Sequence, residues 1–168
     1  RLDPDNQYAL LYLEKLHEEQ HQWNEAYRIR RQLMELSGPD TQPRNQAILG
    51  FLENALGVDA MKEGKREEAA RHFESAIEMD GSTTPAYVNL GDVRLADNDA
   101  AAAVAAWNQL IEVSPERAHL ALERLERLYE RQGSAHAFED RCRAFLATRP
   151  QDWRARLALG SHLSKRGQ

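Results

Sequence analysis

The chain has 168 residues, 42 % of them apolar and 29 % charged, and a formal net charge of −5 at pH 7. That excess of acid lacks the clustered Lys and Arg a nucleic-acid or anionic-membrane surface requires, so a protein or peptide partner is expected and nucleic acid is not. The single cysteine, Cys142, excludes an internal disulfide and any multi-cysteine zinc site. Gly and Pro number only 9 and 6, which points to an all-helical protein. No apolar run approaches the roughly eighteen residues needed to cross a bilayer, so membrane insertion is not expected and a cytoplasmic setting is. The start at Arg1 and the polar end Lys165-Arg166-Gly167-Gln168 suggest a piece of a longer protein.

In chain order the same pattern returns. Leu2-Asp3-Pro4, within 1–6, is expected to be the tail of a preceding unit. Residues 7–40 carry Leu10, Leu13, His17, Ala26, Arg30 and Leu33 in register. The segment 41–49 is an insert; Gly38-Pro39 and Pro43 are breakers there and predict a loop followed by an extended helix. Residues 50–83 place Glu53, Leu56, Gly57, Ala60, Ala69, Phe73, Ala76 and Gly81 at the corresponding sites. Residues 84–118 read Tyr87-x-x-Leu90-Gly91-x-x-Arg94, then Ala103-x-x-x-Trp107, then Pro115. After one inserted residue, 119–152 give Leu122, Leu125, Tyr129, Phe138, Cys142, Phe145 and Pro150, and 153–168 end with Leu159, Gly160, Leu163 and Gly167.

This spacing resembles the tetratricopeptide repeat family over essentially the whole chain. The resemblance implies an all-α, right-handed superhelical solenoid of antiparallel helix pairs, cut from a longer array. Apolar residues recur at helical spacing over two segments per unit, independently of the resemblance. Leu13, Leu56, Leu90, Leu125 and Leu159 are predicted core of first helices, and Leu33, Phe73, Trp107, Leu110 and Phe145 of second helices. Small residues (Gly57, Gly91 and Gly160; Ala26, Ala69 and Ala103) mark where helices should approach closely. Glu14, Glu126 and Phe138 break that pattern and predict looser or rotated packing. The run Ala100–Ala106 is expected to be a plain packed helix, and Glu123 with Arg127 an i, i+4 surface pair.

His17-Glu18-Glu19-Gln20-His21 matches the H-E-x-x-H signature of zinc proteases, which needs both histidines on one continuous helix. The register argues otherwise. At the turn position that holds Gly64, Asn98, Gly133 and Gly167, the residue types that accept positive φ, the first unit has His21. The helix is therefore expected to end near Gln20, with His17 packed between helices and Glu18 turned outward. Neither metal nor cofactor is expected. Cys142 is expected to be a packing residue rather than a nucleophile.

By resemblance, first helices line a concave groove. That nominates Leu11, Lys15 and Glu18, then Asn54, Val58 and Met61, then Val88, Asp92 and Leu95, then Glu123, Arg127 and Glu130 as a protein-binding face. The family's two-carboxylate clamp would use Leu11/Lys15, Asn54/Val58 and Val88/Asp92; only Lys15 and Asn54 have suitable chemistry and Asp92 would repel a carboxylate, so binding of an acidic chaperone tail is not expected. The order of irregularities is similar to that of the lipopolysaccharide assembly protein B family. It comprises Gln22-Trp23-Asn24-Glu25-Ala26, the insert, the ungapped stretch Leu49 to Val113, the one-residue insertion and Gln132-Gly133. That family implies a bacterial adaptor on the cytoplasmic face of the inner membrane, regulating lipopolysaccharide synthesis by bridging a membrane protease and a deacetylase, with a membrane helix and a rubredoxin-like zinc domain outside the repeats. The preferred expectation is a non-enzymatic adaptor. Self-association through exposed terminal repeats is the alternative, and a zinc hydrolase built on His17 and His21 comes last.

Overall fold

The structure, a computed structural model, describes residues 6–167. Among them are nine α-helices and no strand: α1 (Gln7–Glu19), α2 (Trp23–Leu36), α3 (Gln42–Lys62), α4 (Arg66–Met79), α5 (Thr84–Ala96), α6 (Ala100–Val113), α7 (Ala118–Arg131), α8 (Ala135–Thr148) and α9 (Trp153–Lys165). They group into two compact units, one ending at Val93 and the other beginning at Arg94, within α5. In the first unit α2 packs on α1 and α3, and α3 on α4; in the second α7 packs on α6, α8 and α9, and α8 on α9. Leu2-Asp3-Pro4 lies outside the described residues.

Each second helix buries one stripe at i, i+4, i+7: Ala26, Arg30 and Leu33 on α2; Ala69, Phe73 and Ala76 on α4; Ala103, Trp107 and Leu110 on α6; Phe138, Cys142 and Phe145 on α8. Such a stripe turns one helix face to the partner, and each large apolar side chain withdrawn from water contributes about 1.5–3 kcal/mol. The looseness predicted around Phe138 is absent: its ring is fully buried against the imidazole of His162, centroids 4.8 Å apart. Asp99 and Asp152 start α6 and α9 by accepting a backbone N–H three residues on, from Ala102 and Ala155, each at 2.9 Å, and Asn6 does the same for α1 from Ala9 at 3.1 Å.

All five first helices end alike. His21, Gly64, Asn98, Gly133 and Gly167 have φ of 56°, 78°, 63°, 68° and 72°. In the first four, the next residue's N–H reaches back to the carbonyl of the residue that closes the helix core: Gln22 to His17 (2.8 Å), Lys65 to Ala60 (2.9 Å), Asp99 to Arg94 (2.9 Å) and Ser134 to Tyr129 (2.8 Å). This is the Schellman arrangement, which satisfies carbonyls a helix end would otherwise leave open.

Three expectations need correction. The insert 41–49 is no loop: after a 3-10 turn at Pro39–Thr41, the helix begins at Gln42, with Pro43 in its first turn, where its missing N–H costs nothing. The extended helix expected after the breakers is present: the insert lengthens α3 to 21 residues, and its Asn45 and Leu49 are buried. Leu13 is 42 % exposed, because α1 buries Leu10 and Glu14 instead. Gly160 marks no close approach, since nothing described lies within 4 Å of where its Cβ would be.

Glu14 is buried because Arg30 meets it. The guanidinium donates through Nε to Glu14 Oε1 at 2.6 Å and through a second nitrogen to Oε2, and donates to Asn45 Oδ1 at 3.1 Å. Burial pushes the Glu14 carboxyl above its usual range, and Arg30 only partly pulls it back. Desolvation thus offsets much of the attraction, and what the pair chiefly supplies is register.

Gly57 and Gly160, which share a repeat position, give opposite expectations. A Cβ at Gly57 would stand 2.5 Å from Phe73 Cε1. Gly57→Ala is expected to destabilise by about 1–3 kcal/mol, whereas Gly160→Ala should stabilise by about 0.5–1 kcal/mol through helix propensity alone. Urea denaturation of the two variants decides; equal effects would contradict the packing described.

Candidate protein-binding face

The residues nominated for the groove sit on first helices, none of them in the fully buried class. Leu11, Lys15, Glu123, Arg127 and Glu130 are exposed, and Glu18, Asn54, Val58, Met61, Val88, Asp92 and Leu95 are half-buried. In the first unit Asn89 of α5 donates to Asn54 Oδ1 at 3.0 Å, which ties α3 to α5 along this face and fixes the orientation of the Asn54 amide. The expected Glu123–Arg127 pair does not form. The ion pairs of α7 run instead to α9, from Glu126 and Glu130 to Lys165 at 3.1 and 3.9 Å.

In the second unit a cleft of about 350 Å³ opens on α7 and α9, lined by His119, Glu123 and Glu126 on one side and Trp153, Arg154, Leu157, Ala158 and Ser161 on the other. Trp153 and Leu157 are 62 % and 63 % exposed and one helical turn apart, and the Arg154 guanidinium lies 4.8 Å from the centre of the Trp153 ring. Neither apolar residue was nominated from the sequence. The signal was present, since Leu157 stands one repeat after Glu123, at the same groove position.

The H-E-E-Q-H segment is not a metal site. His21 leaves the helix at positive φ and sets its ring edge-on to Trp23, centroids 5.1 Å apart, while His17 Nδ1 lies 2.5 Å from Gln22 Oε1. The helix ends between the two histidines, so they cannot converge on one ion. A cleft of about 460 Å³ beside this turn is lined by His21, Trp23, Asp59, Glu63, Lys65 and His72 among others, but Asp59 and Glu63 are already paired, with Lys62 and Lys65, each at 2.7 Å.

Among the described residues one group of three has the spacing to hold a metal: Glu126, Glu130 and His162, with one ligand atom each inside 4.8 Å. His162 is 1 % exposed, and its Nδ1 lies 3.1 Å from Glu126 Oε1 and 3.7 Å from Glu130 Oε1. The Lys165 ammonium already serves these carboxylates, and a metal on Nδ1 would leave an Nε2–H buried without an acceptor. The cluster is a polar tie that holds α9 to α7. Together with the Arg166–Glu139 pair at 2.5 Å it anchors the helix that forms one wall of the cleft.

No family model matches the chain, and no curated protein matches it. Among solved structures it is similar to two of MamA, 20 % and 16 % identical, each with a TM-score of 0.52, over 98 % and 96 % of this chain and 81 % and 82 % of theirs. It is also similar to a tetratricopeptide repeat protein from Parabacteroides merdae, 18 % identical, with a TM-score of 0.55, over 96 % of this chain and 60 % of that one. The fold is tetratricopeptide-like. At such identities the likeness extends to the fold alone. No helix among the described residues is long and apolar enough to cross a membrane.

Cys142 is fully buried on α8, and burial pushes its thiol from the usual 9.0 up to about 12, with the Glu126 carboxylate adding to the rise. A raised folded value means that this group's contribution to stability is whole below the unfolded thiol's value and is lost as pH climbs towards about 12. At pH 8 the native protein is expected to resist a thiol-specific disulfide reagent and to release one equivalent only after unfolding in guanidinium. Rapid stoichiometric reaction in native buffer would contradict this.

Proposed function

We propose that the chain is a non-enzymatic protein-binding scaffold that engages partner segments along the faces of its first helices. The observation that carries this reading is the division of labour within each pair. Second helices spend their stripe on the core, whereas α1, α3, α5, α7 and α9 keep a second set of positions open to solvent, including apolar ones such as Leu11 and Leu157. Exposed apolar side chains rimmed by polar ones are what protein interaction surfaces present. The division into repeats 7–40, 50–83, 84–118 and 119–152, as parts of a single array, belongs to the same proposal. So does the finer role, an adaptor in bacterial lipopolysaccharide synthesis on the cytoplasmic face of the inner membrane, which is supported by the placement of the irregularities and by nothing in the compared structures.

Self-association is favoured by one specific observation. On α1, Tyr8 and Tyr12 are 87 % and 72 % exposed, and Leu11, Leu13 and Leu16 add 43 %, 42 % and 36 % on a single helix. A second copy could cover that surface.

Selection of displayed random peptides on the protein tests the scaffold reading. Selected peptides are expected to bind about tenfold or more weakly to Lys15→Glu or Leu11→Ser, both on exposed first-helix positions, and to be unaffected by Arg71→Glu at an exposed position of α4. Peptides that ignore the first two variants and are lost with the third would overturn it.

A further inference from the structure

We propose that the cleft on α7 and α9 receives an apolar side chain of a partner segment whose neighbouring residue is Lys or Arg; this rests on the scaffold reading and specifies the chemistry of one binding position.

The two walls of the cleft differ in kind. The α9 wall is largely apolar: Trp153 and Leu157 are exposed a turn apart, and Ala158 lines the cleft with them, beside Arg154 and Ser161. A water-exposed indole and isobutyl group beside a preformed hollow of about 350 Å³ suit one or two aliphatic side chains. The α7 wall is acidic. It carries Glu123 and Glu126, at i and i+3, beside His119, with Glu130 a turn further along the helix and outside the cleft lining.

Their states of pairing differ. Glu126 is held by His162 and Lys165, and Glu130 lies within 3.9 Å of Lys165. Glu123 has no ion pair among the described residues, is exposed and lines the cleft, so it is the carboxylate open to a partner's cation. The nearest cation on the apolar wall, Arg154, is laid over the Trp153 ring. It therefore favours entry of the segment with its basic residue on the α7 side. An acidic segment would meet the Glu123 and Glu126 carboxylates and is disfavoured. The overall charge of −5 adds long-range attraction for a basic segment.

The test uses the full chain, labelled with 15N, and two probes: acetyl-Leu-Lys-Leu-Lys-Leu-amide and the same peptide with Glu for Lys. The indole N–H resonance of Trp153 is assigned with Trp153→Phe. The lysine peptide is expected to shift that resonance and those of α7 and α9, and the glutamate peptide is not. Glu123→Lys should weaken the lysine peptide by about fivefold and Leu157→Ser by about tenfold. Equal binding of the two peptides, shifts confined to other helices, or indifference to both variants would overturn the proposal. So would a Trp153 resonance that moves with protein concentration alone, since a second copy would then be the occupant. If displayed peptides still depend on Lys15 or Leu11 while these probes fail, the scaffold reading stands and only this position falls.

Discussion

The constraint on which the structure most depends is the left-handed residue that ends each first helix. One backbone position at positive φ stops the helix, turns the chain, and lets the following N–H return to a carbonyl inside the helix. Because it recurs at His21, Gly64, Asn98 and Gly133, α2, α4, α6 and α8 all start at the same point of the turn. The buried i, i+4, i+7 stripes of α2, α4, α6 and α8 follow from that register. So does the outward direction of the first-helix positions.

Where the repeat departs from its own pattern, polar chemistry replaces close packing. Gly57 allows the Phe73 ring to lie against the backbone of α3. At the matching position of the first pair stands Glu14, which could be buried only with a cation beside it, and Arg30 on α2 provides one. Removing either partner alone would strand a buried charge, at a cost of about 3–5 kcal/mol. At the matching position of α7, Glu126 is partly exposed and is tied to α9 by a hydrogen bond with His162 and by the Lys165 ammonium. Two substitutions that look like defects in the pattern are thus specific helix-to-helix ties.

Much of this was legible in the sequence, and for identifiable reasons. The turn position could be found because Gly and Asn are the residues that tolerate positive φ, so even His21 betrayed itself by register. The stripes of the second helices were legible because their spacing is dictated by the helix. The extended helix was legible, but the point at which loop gives way to helix was not, because Pro43 and Pro39 carry the same letters whether they break a helix or begin one. Leu13 was misjudged because an apolar residue at a periodic position is buried only if something covers it. Trp153 and Leu157 were not nominated, although the register puts Leu157 at the groove position of Glu123; that the two stand open beside a hollow depends on how α9 packs, which spacing does not state.

Function in such a fold belongs to the surface that the packing leaves over. Here that surface has apolar positions at Leu11 and Leu157, an acidic edge along α7, and a zinc-protease-like string that dissolves because its helix ends between its two histidines. The most direct measurement is the backbone conformation of His21 in solution, from carbon chemical shifts, the amide-to-Hα coupling and the hydrogen-exchange protection of the Gln22 amide. The account requires a left-handed His21 and a Gln22 N–H protected by its bond to the His17 carbonyl. A helix continuing unbroken through His21, with both imidazoles on one face, would contradict it.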